Sequence, residues 1–135
     1  MKINVEIDTS RCKIDTNSVE KAISRELEDT AHKIERTAKE IVPVDTGALR
    51  ASINTSGGPL DYEIIARTEY AKYIEDGTAP HVITGNFYLI LGEQEKLVHS
   101  VNHPGNRAYK YMENACDTQI EGIEDRIAEA ISKYL

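Results

Sequence analysis

At 135 residues, the chain has the length of one domain spanning 1–135. A domain of that size buries roughly 65–70% of the surface its unfolded chain exposes, enough for a core that needs neither metal nor disulfide. The net charge of −7 argues against strong sequence-independent attraction to nucleic acid or to anionic membranes, which needs clustered Lys and Arg.

The first predicted element is a half-buried strand: Ile3, Val5 and Ile7 alternate with Lys2, Asn4, Glu6 and Asp8 in period two. A long helix then starts near Asn17, where Asn17 and Glu20 have capping-box spacing. Val19, Ile23, Leu27, Ala31, Ile34, Ala38 and Ile41 draw one apolar stripe along it in steps of three and four. Asp29 with Lys33, and Glu35 with Lys39, are i,i+4 pairs expected on its outer face. Pro43 biases Val42 away from helical geometry and ends the run. Such a helix of about 26 residues is roughly 39 Å long, a spine for a sheet to lie on.

Ala51–Ser56 reads as a strand, "SGGPL" as a turn, and the alternation from Leu60 to Arg67 as the second arm of a hairpin. "TEYAKYIEDGT" places Tyr70, Tyr73 and Ile74 at helical spacing with Gly77 as a stop, predicting a two-turn helix. Residues 78–85 read as loop, "NFYLILG" as a buried strand, and Leu97–Val101 as another. A second long helix is expected over Arg107–Tyr134, with Met112, Ala115, Ile123, Ile127 and Tyr134 in its stripe. Gly122 would bend it slightly, at a cost of about 1 kcal/mol relative to Ala. The order predicts an α+β domain: an antiparallel sheet with a long N-terminal and a C-terminal helix packed against it.

Chemistry-bearing motifs are few. The sequence has no Walker loop, GxSxG, HExxH or CxxC, so no cofactor is implied. Cys12 and Cys116 form neither a zinc motif nor a disulfide framework and are expected as reduced thiols. "MKINVEID" lacks the apolar core of a signal peptide, and no apolar run approaches the ~20 residues of a membrane helix, so the expected compartment is the cytoplasm. His99 and His103 are four apart, but Pro104 opposes a helix there. A metal-dependent hydrolase or nuclease would need His81, His99, His103 and Glu75 to converge by folding. Glu75 and Asp76 are adjacent on a helix and point about 100° apart, which makes no acid–base pair by itself. The tyrosines Tyr70, Tyr73, Tyr109 and Tyr111 suit either a core edge or a wet-edged contact. The residues themselves therefore point to an interaction protein.

Three segments carry a resemblance: "VPVDTGALRASI" (Val42–Ile53), "YAKYIEDGT" (Tyr70–Thr78) and "HPGNRAYKYMENA" (His103–Ala115). In this order and spacing they resemble the tail-component family of long-tailed bacteriophages and prophages, which includes head–tail joining, neck and tail-completion proteins. Asp76 departs from the family's usual apolar residue, and "AYKYMENA" from its usual proline-rich run. The resemblance implies a non-enzymatic virion structural protein with a tail-terminator-like fold. It implies self-association into a ring, commonly sixfold, around the DNA path. The implied neighbours are head-connector and tail-tube or tail-terminator proteins, and the implied location is the host cytoplasm during assembly and then the virion. The residues marked for interface or motif roles are Val44, Asp45, Thr46, Gly47, Leu49, Arg50, Tyr70, Tyr73, Glu75, Gly77, Thr78, His103, Pro104 and Gly105. Gly47 would permit a turn, Asp45 or Thr46 would cap it, and Arg50 would pair either within its own chain or with Glu75 across a subunit boundary. The glycines and Pro104 are turn-makers first and interface residues second. Acidic side chains facing a ring lumen would let DNA slide without binding.

Overall fold

The computed structural model describes residues 1–8, 15–91 and 94–135, with side chains described outside 87–96 and 98. The element order is β1 (Lys2–Asn4), α1 (Thr16–Ile41), α2 (Ala48–Ser52), β2 (Ile53–Gly57), β3 (Asp61–Ala66), α3 (Ala71–Asp76), β4 (His81–Leu91), β5 (Gln94–His103), α4 (Tyr111–Ile120) and α5 (Ile123–Ser132). The fold is α+β, as expected.

The spine α1 starts one residue earlier than its expected cap. Asp15, not Asn17, is the N-cap: its carboxylate accepts from the Ser18 amide at 3.4 Å and from the Ser18 hydroxyl at 2.7 Å. Those bonds hold the Asp15 carboxyl below its ordinary range. Asp and Asn are equally good caps, so the choice fell to the residue with Ser18 three positions on. Val19, Ile23, Leu27, Ala31, Ile34 and Ala38 are buried as expected. Ile41 is not, being 40% exposed. Val42 takes its place in the core because the chain leaves the helix there, turning extended before Pro43 while its amide still reaches Ala38 O at 2.9 Å.

In the three-stranded sheet β3 is central, antiparallel to β1 on one side and β2 on the other. Ile3, Ile53, Tyr62 and Ile64 are its buried residues, joining the α1 stripe in one core. The predicted first strand is shorter than its alternation suggested: pairing stops at Asn4, though Val5 and Ile7 still pack on the core. Both C-terminal helices pack on α1, so α1 lies between the sheet and α4 and α5. Glu35, expected on the outer face, is mostly buried: besides Lys39 at 2.8 Å it accepts from the amide of Thr55 at 3.1 Å and its hydroxyl at 2.7 Å, latching α1 to β2.

Three further expectations are corrected. Ala51 and Ser52 are helical, so β2 begins at Ile53. Residues 81–85 are strand, not loop: β4 and β5 form a long separate hairpin, with a bulge between Thr84 and Phe87, that includes the predicted strand segments as far as they are described, Gly92 lying outside the described residues. It packs on no other element to any extent among the described residues. The predicted second helix starts only at Tyr111 and is broken, not bent. Gly122 takes φ 75° and Glu121 turns extended. Arg126 makes the break tolerable: it donates to the freed carbonyls of Gln119 (3.1 Å) and Glu121 (2.8 Å) while its Nε bonds Glu26 on α1 at 2.8 Å. Tyr134, expected in the stripe, is 41% exposed. Cys116 is a buried free thiol, pushed up from its ordinary pKa by burial. Cys12 lies outside the described residues. Among the described residues no helix is long and apolar enough to cross a membrane.

Candidate interaction site

Two of the sequence motifs meet as a joint. The segment Tyr70–Thr78 and the segment His103–Glu113 are docked backbone to backbone. Thr78 and Asn106 exchange both amide bonds, at 2.9 and 3.0 Å, and the Thr78 hydroxyl accepts a further bond from the Asn106 amide at 3.0 Å. Tyr109 N donates to Ile74 O, and Lys110 N to Glu75 O. The approach is so close that a Cβ on Gly77 would lie 2.6 Å from Asn106 O and 2.7 Å from Ala108 N. A Cβ on Gly105 would collide with the Thr78 carbonyl. Both glycines have positive φ, so they satisfy a backbone conformation and a contact distance at once.

Glu75 has a defined task in this joint. Its two carboxylate oxygens accept from the amides of Met112 (2.8 Å) and Glu113 (3.0 Å), the first turn of α4. Four amides at a helix start lack an intrahelical partner, and α4 has no cap of its own, because Lys110 sits there at φ 52°. A carboxylate 37 residues away in sequence supplies it. Glu75 is therefore engaged within its own chain. The joint also unites the two departures from the family's pattern: Lys110 pairs with Asp76 at 3.1 Å, and that bond raises the Lys110 pKa. Tyr111 is buried beneath, its hydroxyl donating to Ala71 O at 3.3 Å. Burial, together with the nearby charges of Glu75 and Asp76, pushes its pKa up to about 12.

The Pro43–Arg50 corner is built as a turn. Gly47 adopts φ 84° and its carbonyl accepts from Ala51 N at 3.0 Å. Thr46, of the two candidates, supplies the hydroxyl cap, accepting from Ala48 N at 3.3 Å. Leu49 points inward, 4% exposed. Asp45 and Arg50 are exposed. Among the described residues Arg50 makes no ion pair.

Between corner and joint runs a groove. Two adjoining depressions, of about 590 and 670 Å³, share Tyr70 and Ile74 as common walls. One is floored by the Pro43–Arg50 corner, the other by Tyr73, Gly77–Ala79 and the base of the β4–β5 hairpin. Val44, Tyr70 and Tyr73 are 50%, 43% and 56% exposed, an apolar rim of the kind that marks contact surfaces.

The histidines divide. His81 and His103 stack across the hairpin base with ring centroids 4.9 Å apart. His81 Nδ1 bonds Ala79 O, and His103 Nδ1 accepts from Gly105 N. His99 lies elsewhere, bonded to Asn86 at 2.9 Å. Among the described residues no three His, Cys, Asp or Glu are grouped to hold a metal. Pro104 is exposed beside the stacked pair.

Of the family models compared with the chain, one matches residues 12–77, that described as "Bacteriophage HK97-gp10, putative tail-component". Over that segment the chain is similar to a bacteriophage tail-component family. Neither a curated protein nor a solved structure matches it. The matched segment holds the first motif and all of the second but Thr78, and the third lies beyond its end, bound to it by the joint. Sequence reasoning missed Asn106, Lys110 and Arg126 as working residues. Asn106 and Lys110 stood inside the third motif, and the charge of Lys110 beside the unusual Asp76 was the available signal. Arg126 carried none, because its role depends on a helix break.

Proposed function

We propose that this chain is a non-enzymatic structural subunit of a bacteriophage virion, joining head and tail as a neck or tail-completion ring around the DNA path. The observation that carries this is the exposed apolar groove, with Val44, Tyr70 and Tyr73 of the matched segment on its rim. Turn-forming residues hold that rim in place, as an interface scaffold requires. Contacts between two different patches of one chain generate closed rings when the rotation closes. Copies of the chain therefore associate with one another and with a head-connector protein on one side and a tail-tube or tail-terminator protein on the other. Assembly takes place in the host cytoplasm, and the finished ring stays in the virion. The net charge of −7 fits a lumen that repels phosphate, so DNA passes without being held.

The test is native mass spectrometry and light scattering at high protein concentration, alone and with the tail-tube protein. A closed ring, sixfold by expectation, is the supporting result. A strict monomer under every condition, or tight DNA binding at low salt, overturns it.

A further inference from the structure

The three-stranded sheet ends differently at its two edges. Met1 and Ile64 exchange both backbone bonds, at 2.9 and 2.7 Å, and the Val5 amide reaches Leu60 O at 3.1 Å. Bonded and non-bonded pairs alternate along antiparallel strands. Thr55, opposite Ile64 on the other side of β3, therefore turns its amide outward, and the Glu35 carboxylate takes it at 3.1 Å. The Ile53 amide on that edge is bonded to Arg50 O. A side chain on an edge amide blocks the addition of a further strand. The β1 edge carries no such plug among the described residues. By the same alternation Ile3 is bonded to its partner Tyr62, while Lys2 and Asn4 point their N–H and C=O groups outward. Both are exposed. Among the described residues β1 pairs with β3 alone, and α1 packs chiefly on β2 and β3, away from this edge.

We infer that β1 of one copy pairs antiparallel with β1 of a second copy, joining two three-stranded sheets into one. The sequence selects this occupant, because residues 2–6 read KINVE. Laid antiparallel on a second copy with Asn4 opposite Asn4, the segment sets Lys2 against Glu6 twice and Ile3 against Val5 twice. Outward bonding by Lys2 and Asn4 restricts other registers to shifts of two residues. The register with Lys2 opposite Lys2 opposes like charges, which destabilises a cross-strand pair. Glu6 makes no ion pair among the described residues. Lys2 bonds Asp61 at 3.4 Å on the exposed face, and an ammonium with three donors can serve a second carboxylate. Exposure alternates from Lys2 through Asp8, with Ile3 buried and Val5 half-buried. Glu6 is therefore in phase to join the strand, and the apolar sides of the two sheets run into each other. So short a pairing is far smaller than the ~800 Å² per partner of a standard interface, so the dimer is weak and depends on concentration. It does not rest on the ring reading.

The experiment uses the full-length chain at up to millimolar concentration, followed by sedimentation equilibrium and amide NMR. Lys2→Glu alone and Glu6→Lys alone each turn both Lys–Glu contacts into like-charge pairs and should weaken dimerisation about tenfold. Their equimolar mixture restores opposite charges at both contacts and should recover the wild-type affinity. Asn4→Cys should form a disulfide dimer under mild oxidation, and Lys2→Cys far less. A monomer at millimolar concentration with the amides of Lys2 and Asn4 unmoved overturns the inference. So does self-association that ignores the charge changes, or a ring whose copies crosslink equally well, or not at all, through the two cysteine variants. In that last case the ring itself still stands. A β1 edge that pairs only with the tail-tube protein also overturns it.

Discussion

Replacing Glu75 by Ala removes the only carboxylate that, among the described residues, is bonded to the first turn of α4. The Met112 amide is partly buried and the Glu113 amide exposed, so water replaces the second bond far better than the first. A hydrogen bond to a charged acceptor contributes about 1.5–3 kcal/mol when buried, and the solvent-replaced one well under half of that. A negative charge at a helix N-terminus adds about 0.5 kcal/mol through the helix dipole. The sum is about 2–3 kcal/mol. For a domain between the small and middle size classes this corresponds to a melting-temperature loss of about 8–12 °C. Glu75→Gln keeps one acceptor oxygen and loses the charge, so about half that loss is expected.

The assay is urea and thermal unfolding followed by helical circular dichroism, with amide hydrogen exchange resolved at residues 112 and 113. In Glu75→Ala both amides should lose protection before the rest of α4 does. A melting temperature within 1–2 °C of wild type, with those two amides still protected, refutes the capping role. If Glu75 instead reached Arg50 of a neighbour, the pattern would invert: association would weaken and monomer stability would hold.

Three more outcomes follow from the same geometry. Gly77→Ala must relieve both φ 74° and a Cβ contact 2.6 Å from Asn106 O, and should lower stability in urea unfolding by at least about 2 kcal/mol. Tyr111 has a folded pKa of about 12 against an ordinary 10.0. Its contribution is therefore whole below pH 10 and is lost as pH rises from 10 through 12. Absorbance at 295 nm should show one of the seven tyrosines ionising late, and Tyr111→Phe should remove that phase. For Glu35, burial alone would raise the pKa, but the bonds from Lys39 and Thr55 outweigh it and hold it below its ordinary 4.5. Its contribution is present above pH 4.5 and lost as pH falls through the lower folded value. Glu35→Gln should flatten that limb of the acid-unfolding curve.

How much of this was legible in the sequence depended on the range of the forces involved. The register of α1 and its end before Pro43 were readable because a stripe and a proline are local facts. The exchange of Ile41 for Val42 was not, since periodicity continues a helix that the backbone has already left. The corner at Gly47 read correctly as a turn but hid a five-residue helix, because Ala51 and Ser52 fit either state and the Gly47 carbonyl decided it. Gly122 looked like a mild defect. The break became tolerable only through Arg126, whose partners include Glu26, 100 residues earlier. Residues 81–85 carry strand-forming Val, Ile and Thr, yet read as loop until the cross-strand partners Val101, Asn102 and His103 are known.

The motif residues themselves separate into two groups, and the separation constrains function. A residue whose atoms are engaged in contacts within its own chain has less of its surface to present to another molecule. Leu49 is buried, and Glu75, Gly77, Thr78 and Gly105 are engaged in half-buried contacts with backbone of their own chain. Val44, Asp45, Arg50, Tyr70 and Tyr73 are not, for they stand exposed along one groove. The inward group fixes where the second group stands: Gly77 and Gly105 let two strands of backbone touch, Glu75 anchors α4, and α3 with its tyrosines is held between them. Substitutions in the inward group should therefore change stability first and assembly only through it. Substitutions in the outward group should change assembly with the unfolding transition intact. The short stretch that reads as one motif in the sequence thus performs two tasks, and the measurement that separates them is whether association and melting temperature move together.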